Sequence, residues 1–403
     1  MSSERPSYDS LFSVASGCLQ GNFVELASGP YLSAGRGQFR GLWTRDFCFA
    51  ARGLLELGRQ DVVANHLSTL LGHRRPRDAL VPRLMDSISP AWLRVAWHCA
   101  GRVLPLVPRQ SPMGDSIRPE YQSEHGVEAI DSNLLVLLAS LDYVTSTGDT
   151  DWWQRHEGAL VEVYRYYERS IRDGLVFQNA YSDWQDSVRR SGSTFYTNVL
   201  YHRVTERLLP YSAFGIEADR SDRVRARIDA EFFDGQAGLY RSVRGHPQIS
   251  VDGLLLALDL GYLPLGSRAA ADLYRSLRSH VLWMGHDAPG CATSPDYPRP
   301  WVSLPTRVVG LSGYHDRARW SWLMALAAKV ALKMGDPEEA HRILSLLQQM
   351  ADRDGAIYEI YFPEAPYLPW RSRLYESEAH FSWGAGCAIE AVAEARRSAV
   401  GRR

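Results

Sequence analysis

The chain has 403 residues, 45% of them hydrophobic, which is ample for a large core in one big domain or two ordinary ones. Lys and Arg (45) nearly balance Asp and Glu (46), which excludes a broad electrostatic footprint for nucleic acid or an anionic membrane and points to neutral partners. Five cysteines, Cys18, Cys48, Cys99, Cys291 and Cys387, are far apart and form no CxxC pair. Neither a disulfide framework nor a zinc site is expected from them, and they read as small buried hydrophobes.

The first residues, "MSSERPSYDSLFSVASGCL", lack a basic segment followed by a long apolar run, and no apolar stretch is long enough to span a bilayer. A cytoplasmic protein is expected. Helical periodicity, with apolar residues at i, i+3, i+4 and i+7, then runs through 49–72, 131–148, 151–171, 197–215, 252–261, 270–282, 318–335, 336–351 and 382–399. Many of these segments start at Asp, Ser or Thr or end in Gly, as helix ends do. Strand patterns are short, such as "GLYRSV" and "GAIYEIYF".

Short turns such as "LLELGRQD", "TSTGDTDWW" and "ALKMGDPEEA" alternate with longer loops rich in Trp, Tyr, Pro and Asp. That alternation predicts helical hairpins side by side, short turns at one end and long loops at the other. No Pro, Gly or Ser linker divides the chain. The expected fold is all-α, a single domain over 1–403 built as a toroid of about six hairpins, an (α/α)6 barrel with a few short β segments in its loops. Function then belongs to the long loops, which converge at one mouth.

The chain carries 12 Trp and 20 Tyr, many beside charges in these loops, and flat rings stack on the C–H faces of sugars. Four loops collect acids. "RGQFRGLWTRDFCFA" holds Trp43, Arg45 and Asp46 just ahead of a helix, as sugar ligands or with Asp46 as N-cap. "EHGVEAIDSNLLVLL" places Asp131 where the N-cap of an apolar helix would stand. "SDWQDSVRRSGSTFYTN" sets Asp183 and Asp186 around Trp184. A DxxD pair can bind Mg2+ diphosphates, but no second acidic cluster accompanies it, so no metal and no cofactor is expected. "GAIYEIYFPEAPYLPWRSRLYESEAHFSWGAG" supplies Glu359, Glu364, Glu376 and Glu378 among aromatics.

Glycoside hydrolysis needs two carboxyl groups, one protonated to serve the leaving oxygen and one ionised to activate water or attack. A carboxyl beside Trp in a water-poor pocket favours the acid role, which fits Asp183 or Asp186. The ionised partner would come from the fourth loop. Trp43, Trp184, Trp320, Trp370 and Trp383 are candidate walls, and "SGYHDRARWSW" adds His315 and Asp316 as candidate hydroxyl ligands.

Five segments, in order over roughly residues 35 to 395, resemble inverting glycoside hydrolases of the six-hairpin α/α-barrel type, most of all the alkaline/neutral invertase family. Trehalases, processing glucosidases with mannosylglycerate hydrolases, and glycogen-debranching glucosidases are its relatives. The segments are "WTRDFCFAARGLLELGRQDVVANHL", "AIDSNLLVLLASLDYVTSTGD", "DWQDSVRRSGSTFYTNVLYHRV", "IYEIYFPE" and "RLYESEAHFSWGAGCAIEA". Asn133 replaces a Gly of the family pattern and Ser187 an Arg. The resemblance implies Asp186 as general acid and Glu359 as general base, with Asp183 the rival acid and Glu376 and Glu378 rival bases. It puts Arg45, Asp46 and Asp131 around the sugar.

The reading is an inverting hydrolase of a small soluble α-glycoside or disaccharide, with a carbohydrate as its partner; a homo-oligomer is compatible with it. Two alternatives stand beside it. A sugar epimerase or isomerase on a similar barrel would use His315 and His380, and a carbohydrate-binding barrel would have lost catalysis.

Overall fold

The computed structural model describes residues 7–87, 116–284 and 290–400, with isolated positions between 93 and 114; Cys99 lies outside the described residues. Among the described residues are twelve helices of nine residues or more. In chain order they are α1 (Asp9–Gln20), α2 (Thr44–Glu56), α3 (Gln60–Gly72), α4 (Ser132–Thr147), α5 (Thr150–Arg165) and α6 (Phe195–Leu208). Then follow α7 (Arg220–Phe232), α8 (Val251–Asp259), α9 (Arg268–Ser279), α10 (Ser321–Lys333), α11 (Pro337–Asp354) and α12 (Ser382–Val400).

The even-numbered helices close a ring: α2 packs on α4, α4 on α6, α6 on α8, α8 on α10, α10 on α12, and α12 back on α2. The odd-numbered helices lie outside them, α3 against α4, α7 against α6, α9 against α8 and α11 against α10. The expected barrel of six hairpins is the observed architecture.

Residue pattern explains which helix goes where. In α8 all nine residues are buried, and in α10 every residue from Ser321 to Ala331 is. A helix apolar all round belongs inside. α9 buries only Ala270, Leu273, Tyr274 and Leu277, the i, i+3, i+4, i+7 stripe of a helix with one wet face. α7, "RSDRVRARIDAEF", buries four residues among many charges, which is why periodicity in the sequence did not single it out. The periodic run 49–72 is two helices broken at Leu57, Gly58 and Arg59, where Gly58 takes a φ of 71°. The ring closes tightly where α2 meets α12: a Cβ on Gly53 would stand 2.5 Å from the Gly386 carbonyl oxygen, and one on Gly386 2.5 Å from Ala50 Cα.

Each even helix is entered from a long loop and left by a shorter one, so the long loops gather at the N-terminal ends of the inner helices. Their order is kept by a repeated backbone contact, in which the start of each inner helix donates to the loop leading into the next. Thr44 N donates to Arg83 O (3.0 Å), Ile130 N to Ser182 O (2.8 Å) and Phe195 N to Ser242 O (2.9 Å). Val251 N donates to Ala292 O (2.7 Å), Ser321 N to Glu359 O (3.2 Å) and Ser382 N to Ala34 O (2.9 Å), which returns to the first loop. Orphan N–H groups at the helix starts are thereby satisfied, and six loops are stitched into a collar.

Short strands reinforce the collar: Arg319–Trp320 pairs with Ile360–Tyr361, and Leu42–Trp43 joins Leu84–Asp86. The strand expected in "GAIYEIYF" is the former pairing, and that in "GLYRSV" is Leu239–Tyr240 against Phe233–Asp234. Among the described residues no helix is long and apolar enough to cross a membrane.

Candidate active site

At the collar lies a cleft of about 1350 Å3 measured to its open mouth, and both Asp186 and Glu359 line it. Its buried end is aromatic. Trp184, Trp320 and Trp383 are 2–4% exposed, Trp184 standing edge-on to both others, with centroids 5.2 and 6.1 Å away. Such a floor presents flat ring faces and edges and little competing water. Trp43 lines the cleft as well, in edge contact with Phe39 and under the Arg83 guanidinium at 5.0 Å. Trp370 instead stacks on Phe362, away from the cleft lining.

Arg45, in the first turn of α2, is held from behind by Asp131, Nε to Oδ2 at 2.9 Å and Nη2 to Oδ1 at 3.0 Å, and its Nη1 reaches Asp186 Oδ2 at 3.3 Å. Asp131 also accepts from the Tyr196 hydroxyl at 3.1 Å. It occupies the N-cap position of α4 but makes no side-chain cap, so the capping role expected of it gives way to holding Arg45. It is fully buried and supports the cleft without lining it. Asp46 lines the cleft from the same turn; it is not an N-cap, and burial pushes its carboxyl up to about 7 against the pull of Arg45.

Asp186 and Asp183 part company. The Asp186 side chain is 25% exposed. Burial raises its pKa above the ordinary carboxylate value, while Arg45 and Arg83, the latter 3.8 Å away, oppose the rise. Asp183 is 1% exposed and points the other way, into an ion pair with Arg190 (Nη2 to Oδ2, 2.5 Å) and hydrogen bonds from Gln178 Nε2 (2.8 Å) and Gln185 N (3.0 Å). It does not line the cleft, which removes the ground for Asp183 as rival acid. The two acids also fail to converge as a DxxD metal pair. Among the described residues no three His, Cys, Asp or Glu side chains are grouped to hold a metal ion.

Glu359 is 2% exposed and accepts hydrogen bonds from the hydroxyls of Tyr314 and Tyr375. Burial pushes its carboxyl up to about 8, and the two phenol donors, which favour the ionised form, moderate that rise. The rival bases stand elsewhere. Glu378 is buried under the 36–39 loop and accepts from Gly37 N (2.5 Å) and Gln38 N (2.9 Å), so it fastens that loop. Glu376 is more exposed, 4.0 Å from Arg371, and outside the cleft lining.

The histidines are also displaced from their expected role. His315 is buried behind the cleft, its ring parallel to Trp320 at 5.5 Å and edge-on to Trp184 at 5.1 Å, and burial holds its pKa well below the ordinary value. Asp316 is 6% exposed and accepts from Tyr297 N at 3.2 Å, also off the cleft. His380 sits near Cys18 with Nδ1 3.5 Å from Sγ. Neither histidine lines the cleft, so the paired-histidine chemistry of an epimerase has no support here.

Sequence reasoning missed Arg83, Glu124, Tyr314 and Tyr375. Arg83 and Glu124 pair at 3.0 Å beside Asp186; burial would raise the Glu124 carboxyl, but Arg83 draws it down to about 2. Glu124, Tyr314 and Tyr375 lie within the quoted loops, seven residues before Asp131, next to His315 and next to Glu376, but nothing in one-dimensional spacing ranks Tyr314 above His315. The cysteines among the described residues, Cys18, Cys48, Cys291 and Cys387, are free and buried. Asn133 ties the collar to α4, accepting from Val81 N (2.8 Å) and donating to Ala79 O (3.1 Å) and Val163 O (3.0 Å).

No protein-family model matches the chain, and no curated protein does. Solved structures do match over nearly its whole length. A glycosidase variant in complex with glucose aligns over 98% of this chain and 99% of its own at 16% identity, with a TM-score of 0.67. A rhamnosidase from Klebsiella oxytoca with rhamnose bound aligns over 96% of this chain and 64% of its own at 16% identity, TM-score 0.64. A GH63 mannosylglycerate hydrolase from Thermus thermophilus in complex with glucose aligns over 94% and 99% at 15% identity, TM-score 0.60. At these identities the likeness establishes the shared fold; the chemistry rests on the residues of the cleft.

Proposed function

We propose that the protein is a glycoside hydrolase that removes one sugar from a small α-glycoside with inversion at the anomeric carbon, Asp186 acting as general acid and Glu359 as general base. The observation that carries this reading is the convergence of Asp186 and Glu359, from loops half a ring apart, on one aromatic-floored cleft in a fold shared with structures titled glycosidases.

Position separates the two roles, since burial raises both carboxyls and pushes Glu359 up to about 8. Asp186 lies toward the open side, where a leaving oxygen departs, and its raised pKa favours carrying a proton. Glu359 lies deeper and accepts two phenol hydrogen bonds, which orient a carboxylate toward bound water. In the step, Asp186 gives its proton to the glycosidic oxygen as the bond to the anomeric carbon breaks. Water attacks the opposite face, and its proton passes to Glu359. Arg45, fixed by Asp131, orients Asp186, and Asp46 is placed to hydrogen-bond sugar hydroxyls. An inverting pair leaves room for the water, roughly 6.5 to 9.5 Å between carboxyls.

The test is an NMR assay against sucrose, trehalose, isomaltose, maltose, glucosylglycerate, mannosylglycerate and simple α-glucosides, α-mannosides and α-rhamnosides, watching which anomer is released first. Release of the inverted anomer supports the reading. Release of the retained anomer, or full activity in Asp186→Asn and Glu359→Gln, overturns the mechanism.

A further inference from the structure

The mouth of the cleft differs in character from its floor. The buried end carries the carboxyls Asp46 and Glu359, whereas the more exposed wall carries Phe39, Pro305, Val309 and Leu374, with the buried Leu311 at its base. Two loops build all of that wall but Phe39. Ser372 Oγ donates to Val309 O at 2.5 Å, and a Cβ on Gly310 would meet Ser372 Cβ at 2.9 Å, so residues 304–311 lie directly against 371–375. The apolar wall is therefore continuous with Tyr375, which holds Glu359. On the short helix Leu304–Val308, Leu304 and Val308 are 63% and 65% exposed, an unusual outlay of large apolar surface beside a cleft.

Several polar groups of the cleft lining are already engaged by the protein, whereas the buried Ser187 hydroxyl and Trp383 indole N–H are not. Gln38 Nε2 donates to the Glu376 carbonyl (2.9 Å), Thr306 Oγ1 pairs with Ser303 Oγ (2.6 Å), and Arg83 is matched by Glu124 (3.0 Å). A second sugar or a glycerate seated there would lose hydrogen bonds to water and find few in return, a net cost. An apolar group would gain by leaving water.

Resting on the hydrolase reading above, we propose that the group this cleft accepts on the leaving side is apolar: the substrate is an alkyl or aryl glycoside, its sugar in the aromatic pocket and its hydrocarbon aglycone along Val309, Leu311 and Leu374.

The experiment compares methyl, butyl and hexyl α-glucosides and α-mannosides with the corresponding glycerol glycosides and disaccharides on the wild-type protein. The alkyl alcohols are leaving groups of near-equal acidity, so differences report binding of the chain. The expected result is a kcat/KM that climbs roughly threefold per methylene until the wall is covered. In Leu374→Ser and Val309→Ser the hexyl-to-methyl ratio should collapse toward one, and hexanol should inhibit the wild type where glycerol does not. Equal kcat/KM for methyl and hexyl glycosides, or a preference for disaccharides or glycerol glycosides, overturns the apolar aglycone and leaves the hydrolase standing. Absence of turnover on every glycoside overturns the hydrolase reading and this inference with it.

Discussion

Asp131 holds Arg45 by two parallel hydrogen bonds, at 2.9 and 3.0 Å, and leaves the remaining edge of the guanidinium to Asp186 at 3.3 Å. A buried acid on one inner helix thus fixes the direction of a cation on the next, and that cation sets the position of an acid from a third loop. Such a fork-on-fork contact supplies geometry as well as charge.

Asp131→Asn should break that chain of position. Removing one partner of a buried, hydrogen-bonded pair typically costs about 3 kcal/mol. We expect a lower urea midpoint and a kcat/KM reduced on the order of a hundredfold, the drop a misplaced catalytic group produces. Unchanged kcat/KM in a folded Asp131→Asn protein would refute the positioning role.

The proposed acid and base can be told apart with leaving groups. Asp186→Asn should lose most activity on alkyl glycosides, by about 10² to 10⁴, and recover much of it on a dinitrophenyl glycoside, which departs without a proton. Glu359→Gln should be impaired on both. Recovery in Glu359→Gln instead would exchange the two roles. His380→Ala, changing a residue off the cleft, should keep activity within about threefold, since a lone His is usually structural; its loss would revive proton-swapping chemistry.

The elevated carboxyl of Glu359 predicts opposed pH effects on rate and stability. In the proposed role of base it would work ionised, so kcat/KM should rise with pH through about 8 in the free protein. Tyr314→Phe or Tyr375→Phe removes a donor to the ionised form and should move that limb to higher pH. Stability runs the other way. With the folded value at about 8 and the ordinary value at 4.5, the folded state holds the extra proton between them, so stability is fully present below 4.5 and is lost as pH rises toward 8. Glu359→Gln should therefore melt higher than the wild type at pH 8, by a free energy on the order of 4 kcal/mol, with the gap closing toward pH 5. Calorimetry across that range checks it; a gap independent of pH contradicts it. Asp46 and Glu378, both raised to about 7, add slopes of the same sign.

Gly386→Ala tests the closure of the ring. The new methyl would stand 2.5 Å from Ala50 Cα, backbone that cannot swing aside. Overpacking of this kind costs about 1–3 kcal/mol, and we expect the urea midpoint to fall by that amount. Because α2 also carries Arg45 and Asp46, the strain should reach kcat/KM even with saturating stability; a variant as stable as the wild type would deny the close approach.

The sequence by itself determined the barrel. Helix period, Gly and Asp at the turns, and the contrast between "DGLLLALDLG", mostly apolar with two acids, and "AADLYRSLRSHVL", apolar on one stripe, are local properties that the folded helices α8 and α9 preserve. It also directed attention to loops that line the cleft, because acids beside tryptophans stand out in one dimension. It could not decide between Asp183 and Asp186, three residues apart in the same loop, nor between Glu359, Glu376 and Glu378. Those choices depend on which way each side chain faces. Arg190 draws Asp183 inward, the 36–39 loop covers Glu378, and the Ser321 N–H holds the Glu359 backbone at the start of α10. The partners responsible lie between 7 and 341 residues away in sequence, and only folding brings their hydrogen bonds into reach.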